Sequence, residues 1–202
     1  MNVHLIHGIT GSGKTEVYMD LIDYTIKKGK SVIVLIPEIA LTYQTVMRFT
    51  RRFKEKVSII NSRLSSGERY DQFERAKNGD ITIMIGPRSA LFTPFPNLGL
   101  IVIDEEHESA YKSESVPKYH AIEVAQKRAY DTGATVVLGS ATPSLESYYK
   151  AKNGTYILHK LTTREKGNLP SVSIVDLREE LQQGNKSIFS NKLQTLINET
   201  RL

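Results

Sequence analysis

The sequence predicts an α/β fold in which a mostly parallel central sheet is covered by helices on both faces. Short apolar runs rich in β-branched residues alternate with longer stretches of helical period, which is the pattern of βαβ units. Several of these runs are apolar at every position, as in strands that are buried on both faces. Motifs rich in glycine, hydroxyl and carboxylate groups follow directly after the runs, so a parallel sheet would bring them together at one edge.

The composition is that of an ordinary globular domain, with 202 residues of which 40% are hydrophobic and 24% charged. No run approaches the ~20 apolar residues of a membrane span, and residues 1–10 lack the layout of a secretion signal. We therefore expect a soluble intracellular protein with no membrane partner. The absence of cysteine excludes disulfides and thiolate metal sites within these residues, and the net charge of +5 favours an anionic partner without requiring one.

The segment GITGSGKT fits the phosphate-loop pattern G-x-x-x-x-G-K-[ST] and lies between a predicted strand at 3–6 and a predicted helix at 14–28. Glycines let successive backbone N–H groups turn inward on phosphate oxygens, and the helix directs its positive dipole end at the anion. Lys14 would reach the β- and γ-phosphates, and the hydroxyl of Thr15 would bind Mg²⁺. The residues predicted to bind ATP are Gly8, Ile9, Thr10, Gly11, Ser12, Gly13, Lys14 and Thr15.

The next elements are a strand at 31–36, ended by Pro37, and a helix after the segment PEIALT at 37–42. We expect this helix to carry five basic residues against the single acidic residue Glu55. Such a run fits a solvated surface as well as it fits contact with nucleic acid. The five residues are Arg48, Arg51, Arg52, Lys54 and Lys56.

A strand at 57–60 precedes Ser65, which opens a capping-box helix that runs to Gly79, and another strand follows at 81–85. That strand ends in GPRSALFTP at 86–94. Backbone N–H groups, the hydroxyl of Ser89 and the charge of Arg88 could meet a phosphodiester there. An exposed connection bounded by proline and glycine is the alternative.

The apolar run at 98–103 is followed directly by Asp104, Glu105, Glu106 and His107. A P-loop enzyme needs carboxylates opposite its loop, so we assign Asp104 to the Mg²⁺ shell and Glu105 to polarising the attacking water. Glu105 and Lys14, which reaches the phosphates, are the predicted catalytic residues. Glu106 is the alternative base. Taken alone, an acidic run after a strand is more often a solvated turn.

The polar segment 109–118 is predicted to be a mobile loop, followed by a helix at 119–130 and a strand at 134–138 that runs into GSATPS. Small hydroxylated residues at this strand end suit a relay between a nucleotide and a second ligand, although Ser140 and Thr142 could instead cap the next helix. Beyond Gly154 we expect strands at 156–161 and 172–177 around a polar link at 162–170. A loop at 182–186 and an amphipathic helix at 190–201 complete the prediction.

Six segments in this order, GITGSGKTEVY, PEIALT, GPRSALF, DEEH, YHAIEVA and LGSATPSLES, resemble the bacterial replication-restart helicases of the PriA (primosomal protein N′) family. The resemblance covers residues 3–177. It implies a P-loop NTPase of helicase superfamily 2 with a DExH box, whose first RecA-like, ATP-binding lobe occupies 1–161. Residues 162–202 would be a connection and the start of a second lobe.

The resemblance further implies an ATP-driven 3′–5′ DNA helicase that acts at stalled replication forks in primosome assembly and replication restart, in the bacterial cytoplasm at the nucleoid. ATP and Mg²⁺ would be its cofactors, with zinc bound elsewhere in the family's full-length chain. Its partners would be single-stranded and forked DNA, single-strand-binding protein, and primosome or helicase-loader proteins.

Residue by residue, the resemblance assigns His107, Ser140, Ala141 and Thr142 to coupling, and Pro37, Thr42, Arg88 and Ser89 to DNA. Segment 109–118 falls where relatives use an aromatic-rich loop, and here it offers Tyr111, followed by Tyr119. The family's N-terminal DNA-binding parts, arginine finger and zinc-binding cysteines do not occur in the 202 residues. We therefore expect an excised motor lobe.

Three other classes stay open at this point. A small-molecule P-loop kinase would leave DEEH and GSAT unexplained. A GTP-binding switch would need an Asn-Lys-x-Asp motif, which the nearest segment, NKLQ at 191–194, does not complete. A nucleic-acid-binding module without turnover would share the basic charge.

Overall fold

A seven-stranded parallel sheet forms the centre of the computed structural model, which describes residues 3–163 and 171–200. The strand order is β3-β4-β2-β5-β6-β1-β7, and every neighbouring pair runs parallel. The predicted fold class, an α/β RecA-like architecture, is confirmed. The strands are β1 (Val3–Gly8), β2 (Ser31–Leu35), β3 (Val57–Ile59), β4 (Ile83–Gly86), β5 (Leu98–Asp104), β6 (Thr135–Ser140) and β7 (Ile157–Leu161).

Helices cover both faces of the sheet because successive side chains of each strand point to opposite sides. In β2, Val32 and Val34 pack with one core and Ile33 and Leu35 with the other. Tyr18, Ile22 and Phe49, from the first two helices, join the former core, and Ala76, Ala125 and Ala151, from the next three, join the latter. These helices are α1 (Lys14–Lys27), α2 (Tyr43–Phe53), α3 (Ser66–Asn78), α4 (Ala121–Thr132) and α5 (Leu145–Lys152).

Most helix ends lie where the sequence places them. Gly29 follows α1 with φ 70°, Ser65 and Glu68 form the complete capping box of α3, and Gly79 ends that helix at φ 82°. The prediction for α2 was partly wrong. The helix stops at Phe53 because Lys54 adopts φ 53°, so Lys54 and Lys56 lie in a 3₁₀ turn beyond it.

The chain divides into two compact units, Met1–Lys166 and Gly167–Leu202. The first contains the whole sheet. The second contains α6 (Leu177–Gln182) and α7 (Asn191–Thr200), and the Glu180 carboxylate accepts the N–H of Asn191 at 2.9 Å. Among the described residues no helix has the length and apolar character needed to cross a membrane.

The strand predicted at 172–177 was wrong: residues 171–176 are irregular, and α6 begins at Leu177 with the Asp176 side chain accepting the N–H of Arg178. In the described part of the chain, this stretch pairs with no neighbouring strand despite its alternating pattern. Most of the predicted polar link, residues 164–170, lies outside the described residues.

The strand order also positions the functional motifs. Because β6 lies between β5 and β1, the carboxylate motif after β5 and the phosphate loop after β1 flank the GSAT segment after β6. Three motifs far apart in the sequence therefore meet at the carboxyl edge of the sheet.

Candidate nucleotide site

The phosphate loop connects β1 directly to α1 and has the geometry of an anion cradle. Gly11 and Gly13 adopt φ 80° and 84°, in the left-handed region that favours glycine. Gly8 is required for a different reason, since a Cβ there would lie 2.6 Å from the Ser12 hydroxyl oxygen. No side chain caps the start of α1 among the described residues, so no side chain competes with an anion for the first backbone N–H groups of this helix.

The residues of this loop fit a nucleoside triphosphate bound with Mg²⁺. The Lys14 amine donates to the carbonyl of Gly8 at 2.8 Å, which holds its charge across the loop. The buried Ser12 hydroxyl has no hydrogen-bond partner within the described parts of the chain. The cleft beside them has a volume of about 310 Å³ and is lined by Thr10, Gly11, Ser12, Gly13, Lys14, Thr15, Glu16, Arg48, Asp104 and Glu105.

Asp104 and Glu105 line this cleft, as predicted from the sequence. Burial raises the pKa of the Asp104 carboxyl, against the opposing effects of a hydrogen bond from Tyr18 and the charge of Lys14. Burial, followed by the charge of Asp104, raises the pKa of Glu105. Glu105 also has φ 47°, an uncommon conformation for a residue with a side chain. A carboxylate with a raised pKa in a cleft is suited to take a proton from water.

The described residues contain no cluster of three or more His, Cys, Asp or Glu side chains that would hold a metal by themselves. This agrees with the chemistry of Mg²⁺, which binds through one or two protein oxygens together with phosphates and water. Thr15 and Asp104 are the two predicted protein ligands, and both line the cleft.

Two tyrosines hold Asp104: Tyr18, to which the sequence assigned no role of its own, and Tyr111, which was predicted to lie in a mobile loop. The Tyr18 hydroxyl donates to Asp104 Oδ1 at 3.0 Å, and the Tyr111 hydroxyl lies 2.6 Å from the Asp104 carbonyl oxygen and 3.1 Å from that of Leu35. Both rings are 1% exposed. Tyr18 fits because Gly139 has no side chain, since a Cβ there would collide with its ring and hydroxyl. In the sequence, the helical period of α1 indicates that Tyr18 is buried, but it does not indicate a polar contact.

Tyr111 also corrects the prediction for segment 109–118. This residue lies in a 3₁₀ turn with its ring in the core, so it is not available to contact DNA. Lys112 pairs with His120 in an isolated antiparallel bridge, which gives the segment a defined course. Tyr119 is half-buried and packs edge-on against Phe92, with ring centroids 5.4 Å apart.

The predicted coupling residues come together beside the carboxylates. His107 Nδ1 and Ser140 Oγ share a hydrogen bond of 2.7 Å, and Ser140 Oγ accepts the N–H of Thr142 at 2.9 Å. His107 Nδ1 also lies 3.6 Å from Glu105 Oε2. A continuous polar chain thus runs from Glu105 to the segment 140–142. Thr142 does not cap the next helix, since Ser144 does so.

Glu106 points away from the cleft, which argues against it as the alternative base. Its side chain is 2% exposed, and its carboxylate accepts hydrogen bonds from Ser144 and Ser147 at the start of α5. No pattern in the sequence indicates this, because burial of a carboxylate depends on donors that only the tertiary structure brings near.

The four residues predicted to contact DNA lie on the same carboxyl edge, but three are occupied within the protein. Pro37 is buried at the end of β2. The Thr42 hydroxyl caps α2 by accepting the N–H of Thr45 at 3.3 Å. Arg88 donates to the carbonyls of Ala110 and Lys112 at 2.9 and 3.1 Å, and so supports segment 109–118. Ser89 is half-buried.

The basic residues of α2 divide into two groups. Arg48 contacts Glu16 at 2.8 Å and Arg52 contacts Asp20 at 2.5 Å, so both join α2 to α1. Arg51 forms no ion pair or hydrogen bond through its side chain within the described parts of the chain, and it is exposed. Much of the basic charge of this helix is therefore balanced internally.

The model of the DEAD/DEAH box helicase family matches residues 2–151, about three quarters of the chain and all three motifs described above. The chain belongs to this family. Among curated proteins it is similar to "Replication restart protein PriA" of Bacillus subtilis, with 52% identity over 199 residues that cover 98% of this chain and 25% of the relative. The protein of that name from Synechocystis is 50% identical over 204 residues, which cover 98% of this chain and 24% of the relative. The resemblance to the replication-restart helicases is thereby confirmed.

The chain spans about a quarter of the length of these relatives. Solved structures show the same fold at lower identity. The helicase domain of Pyrococcus furiosus Hef has a TM-score of 0.58 and 22% identity, over 82% of this chain and 35% of that one. RecG bound to a three-way DNA junction has a TM-score of 0.56 and 22% identity, over 85% of this chain and 22% of that one.

Proposed function

We propose that this chain binds ATP with Mg²⁺ and is the motor lobe of a 3′–5′ DNA helicase that acts at stalled replication forks in primosome assembly and replication restart. The observation that carries the proposal is the single cleft in which the phosphate loop faces Asp104 and Glu105. Membership of a helicase family favours this function over a small-molecule kinase, which would not account for the polar chain through His107 and Ser140. Similarity to replication-restart proteins supports the finer assignment.

Each cleft residue has a distinct role in the proposal. The loop N–H groups and Lys14 bind the phosphates, and Thr15 and Asp104 hold the metal. Bound ATP and Mg²⁺ supply the phosphoryl group and the positive charge that stabilises its transfer. Glu105 orients the attacking water and accepts its proton, and Tyr18 keeps the Asp104 carboxylate in place.

His107 and Ser140 are proposed to couple the nucleotide cleft to DNA. Their hydrogen bond connects the turn that carries Glu105 to the segment 140–142, so a change at one reaches the other. Arg88 contributes indirectly by supporting segment 109–118, while Ser89, Pro37 and Thr42 line the same edge of the sheet. We propose single-stranded and forked DNA as the nucleic-acid partners, and single-strand-binding, primosome and loader proteins as further partners in the bacterial cytoplasm.

Single-turnover hydrolysis of ATP with and without single-stranded DNA tests the proposal, with Lys14→Ala as the inactive control. Removing this amine takes a charge off the phosphates that no neighbour replaces, so calorimetric titration with Mg-ATP should show severely weakened binding. Unchanged affinity in Lys14→Ala would overturn the phosphate-loop assignment. Binding without measurable hydrolysis in the parent protein would favour a nucleic-acid-binding module without turnover.

A further inference from the structure

Glu106 is a buried acidic residue that the proposed reaction does not use. It lies between Glu105, the proposed base, and His107, the proposed coupling residue. Its carboxylate accepts the backbone N–H of Ser144 at 2.7 Å, the Ser144 hydroxyl at 3.1 Å and the Ser147 hydroxyl at 2.8 Å. Its own N–H donates to the Gly139 carbonyl at 3.0 Å. Glu106 is thus only 2% exposed and is hydrogen-bonded both to the end of β6 and to the segment that follows it.

These contacts balance the cost of burying a carboxylate. Hydrogen bonds to a charged acceptor contribute more than those to a neutral one, and the positive end of a helix dipole adds to them. Ser147 is itself 4% exposed and its hydroxyl points at Glu106, so the first turn of α5 is built around this side chain.

Helix α5 leads back to the phosphate loop by two routes. Tyr148 on α5 packs edge-on against His7, with ring centroids 6.0 Å apart, and His7 directly precedes Gly8. The helix also continues into β7, where the Leu161 carbonyl accepts the N–H of Ile9 at 3.4 Å. A displacement of α5 would therefore reach the beginning of the loop that binds phosphate.

We propose that Glu106 is a positioning residue that fastens the turn 104–107 to α5, so that the carboxylate side and the phosphate-loop side of the cleft respond to nucleotide as one unit. This contact is separate from the hydrogen bond between His107 and Ser140, which reaches segment 140–142 but not the helix. The inference rests on the proposed function, because nucleotide is the stimulus.

Hydrogen exchange on the 202-residue chain, without nucleotide and with a saturating non-hydrolysable ATP analogue and Mg²⁺, tests the proposal. The variant is Glu106→Gln, whose amide group replaces one acceptor oxygen with a donor. The matched control is Glu146→Gln, the same change on an exposed residue in the first turn of α5. Without nucleotide, Glu106→Gln should speed the exchange of the first α5 amides about tenfold or more, because a hydrogen bond to a charged group is lost.

With the analogue, the parent and Glu146→Gln should show slowed exchange in both the turn 104–107 and α5. Glu106→Gln should bind the analogue within about threefold of the parental affinity, since its side chain touches no cleft residue. It should show slowed exchange in the turn and a clearly smaller slowing in α5, where only the contacts through His7 and β7 remain. A structural role without coupling would loosen α5 yet leave its response to the analogue intact, which would overturn the proposal. An α5 that does not respond in the parent protein would also overturn it.

Two further results keep the test decisive. If the parent chain binds no nucleotide, the proposed function fails. Faster exchange of the α5 amides in Glu106→Gln would then still support the role of Glu106 in holding α5 to the turn 104–107. Exchange of these amides at the parental rate would refute that role. If Glu106→Gln does not fold, Ser147→Ala replaces it, since it removes one donor and leaves the carboxylate and the Ser144 cap. Ser147→Ala should reduce the α5 response partially, and a full parental response would contradict the proposal.

Discussion

Among the single residues of the cleft, Glu105 is the one that we propose as the general base. It lines the cleft, has a raised pKa caused mainly by burial, and lies 3.6 Å from His107 Nδ1. Glu106, the neighbouring carboxylate, is hydrogen-bonded to α5, which argues against it as the base.

We expect Glu105→Gln, tested in a protein with both lobes, to keep nucleotide affinity and lose turnover by a factor of about 10²–10⁴, the usual contribution of a general base. The amide preserves shape while removing the proton acceptor. Glu108→Gln, the same change one residue beyond the turn 104–107, is the matched control and should retain turnover. Asp104→Asn should instead raise the Mg²⁺ concentration needed for activity. Parental hydrolysis by Glu105→Gln would place the base elsewhere.

Tyr18 offers a second test at this scale, because its hydroxyl is the hydrogen-bond donor to the buried Asp104 carboxylate. Tyr18→Phe leaves that oxygen with one donor fewer and should lower the free energy of unfolding by about 1–3 kcal/mol. Tyr24→Phe, on the same helix with a ring that is 59% exposed, should change it little. Urea unfolding measures both. Equal stability of the two variants would show that the Tyr18 contact contributes nothing.

Among the secondary-structure elements, α2 carries arginines that are alike in sequence but have different surroundings in the structure. Arg52 contacts Asp20 on α1, whereas Arg51 projects into solvent. A helical period places these residues on different sides of α2, but the sequence does not say which side faces α1.

We therefore expect Arg51→Glu to reduce the salt dependence of single-strand binding by about one ion, because a phosphate contact releases a counterion. Arg52→Glu should leave the salt slope unchanged, since its guanidinium already contacts a carboxylate. Binding measured across a salt series decides between them. If Arg51→Glu leaves the salt dependence of binding unchanged, the basic residues of α2 form a solvated surface and do not contact DNA.

Elements whose signals are local were predicted well. Apolar runs located the strands of the sheet, and the capping box of Ser65 and Glu68 is complete within four residues. Elements that depend on distant partners were not. Within the described residues, the stretch 172–177 has the alternation of a strand but pairs with no neighbour. Segment 109–118 looks irregular in sequence, although the buried ring of Tyr111 holds its beginning against the core.

The same distinction applies within the site. The phosphate loop and the carboxylate motif are contiguous patterns with known chemistry, and the sequence could identify them. Tyr18, Tyr111 and Glu106 support that site from three different elements, and their contacts follow from the order β5-β6-β1 rather than from any pattern in the sequence.

Every cleft residue lies in the first of the two units of the chain, Met1–Lys166, so this unit should account for nucleotide binding. By resemblance, helicases of this kind hold ATP between two lobes, and the second lobe contributes an arginine. Arg48 is the arginine that lines the present cleft, and it is paired with Glu16. An arginine contributed from the opposing side of the nucleotide increases turnover by a factor of about 10³–10⁵ in other P-loop enzymes.

We therefore expect the 202-residue chain alone to bind ATP weakly, to hydrolyse it very slowly and to leave a forked duplex intact. Translocation requires two lobes whose closure around nucleotide changes their grip on the strand, and one RecA-like lobe cannot perform that motion alone. Stopped-flow unwinding of a forked duplex provides the measurement, and a longer protein that includes the downstream lobe is the positive control. DNA-dependent turnover should appear in the longer protein and disappear with Lys14→Ala. Robust ATP-driven strand separation by the 202 residues alone would show that the opposing lobe is dispensable.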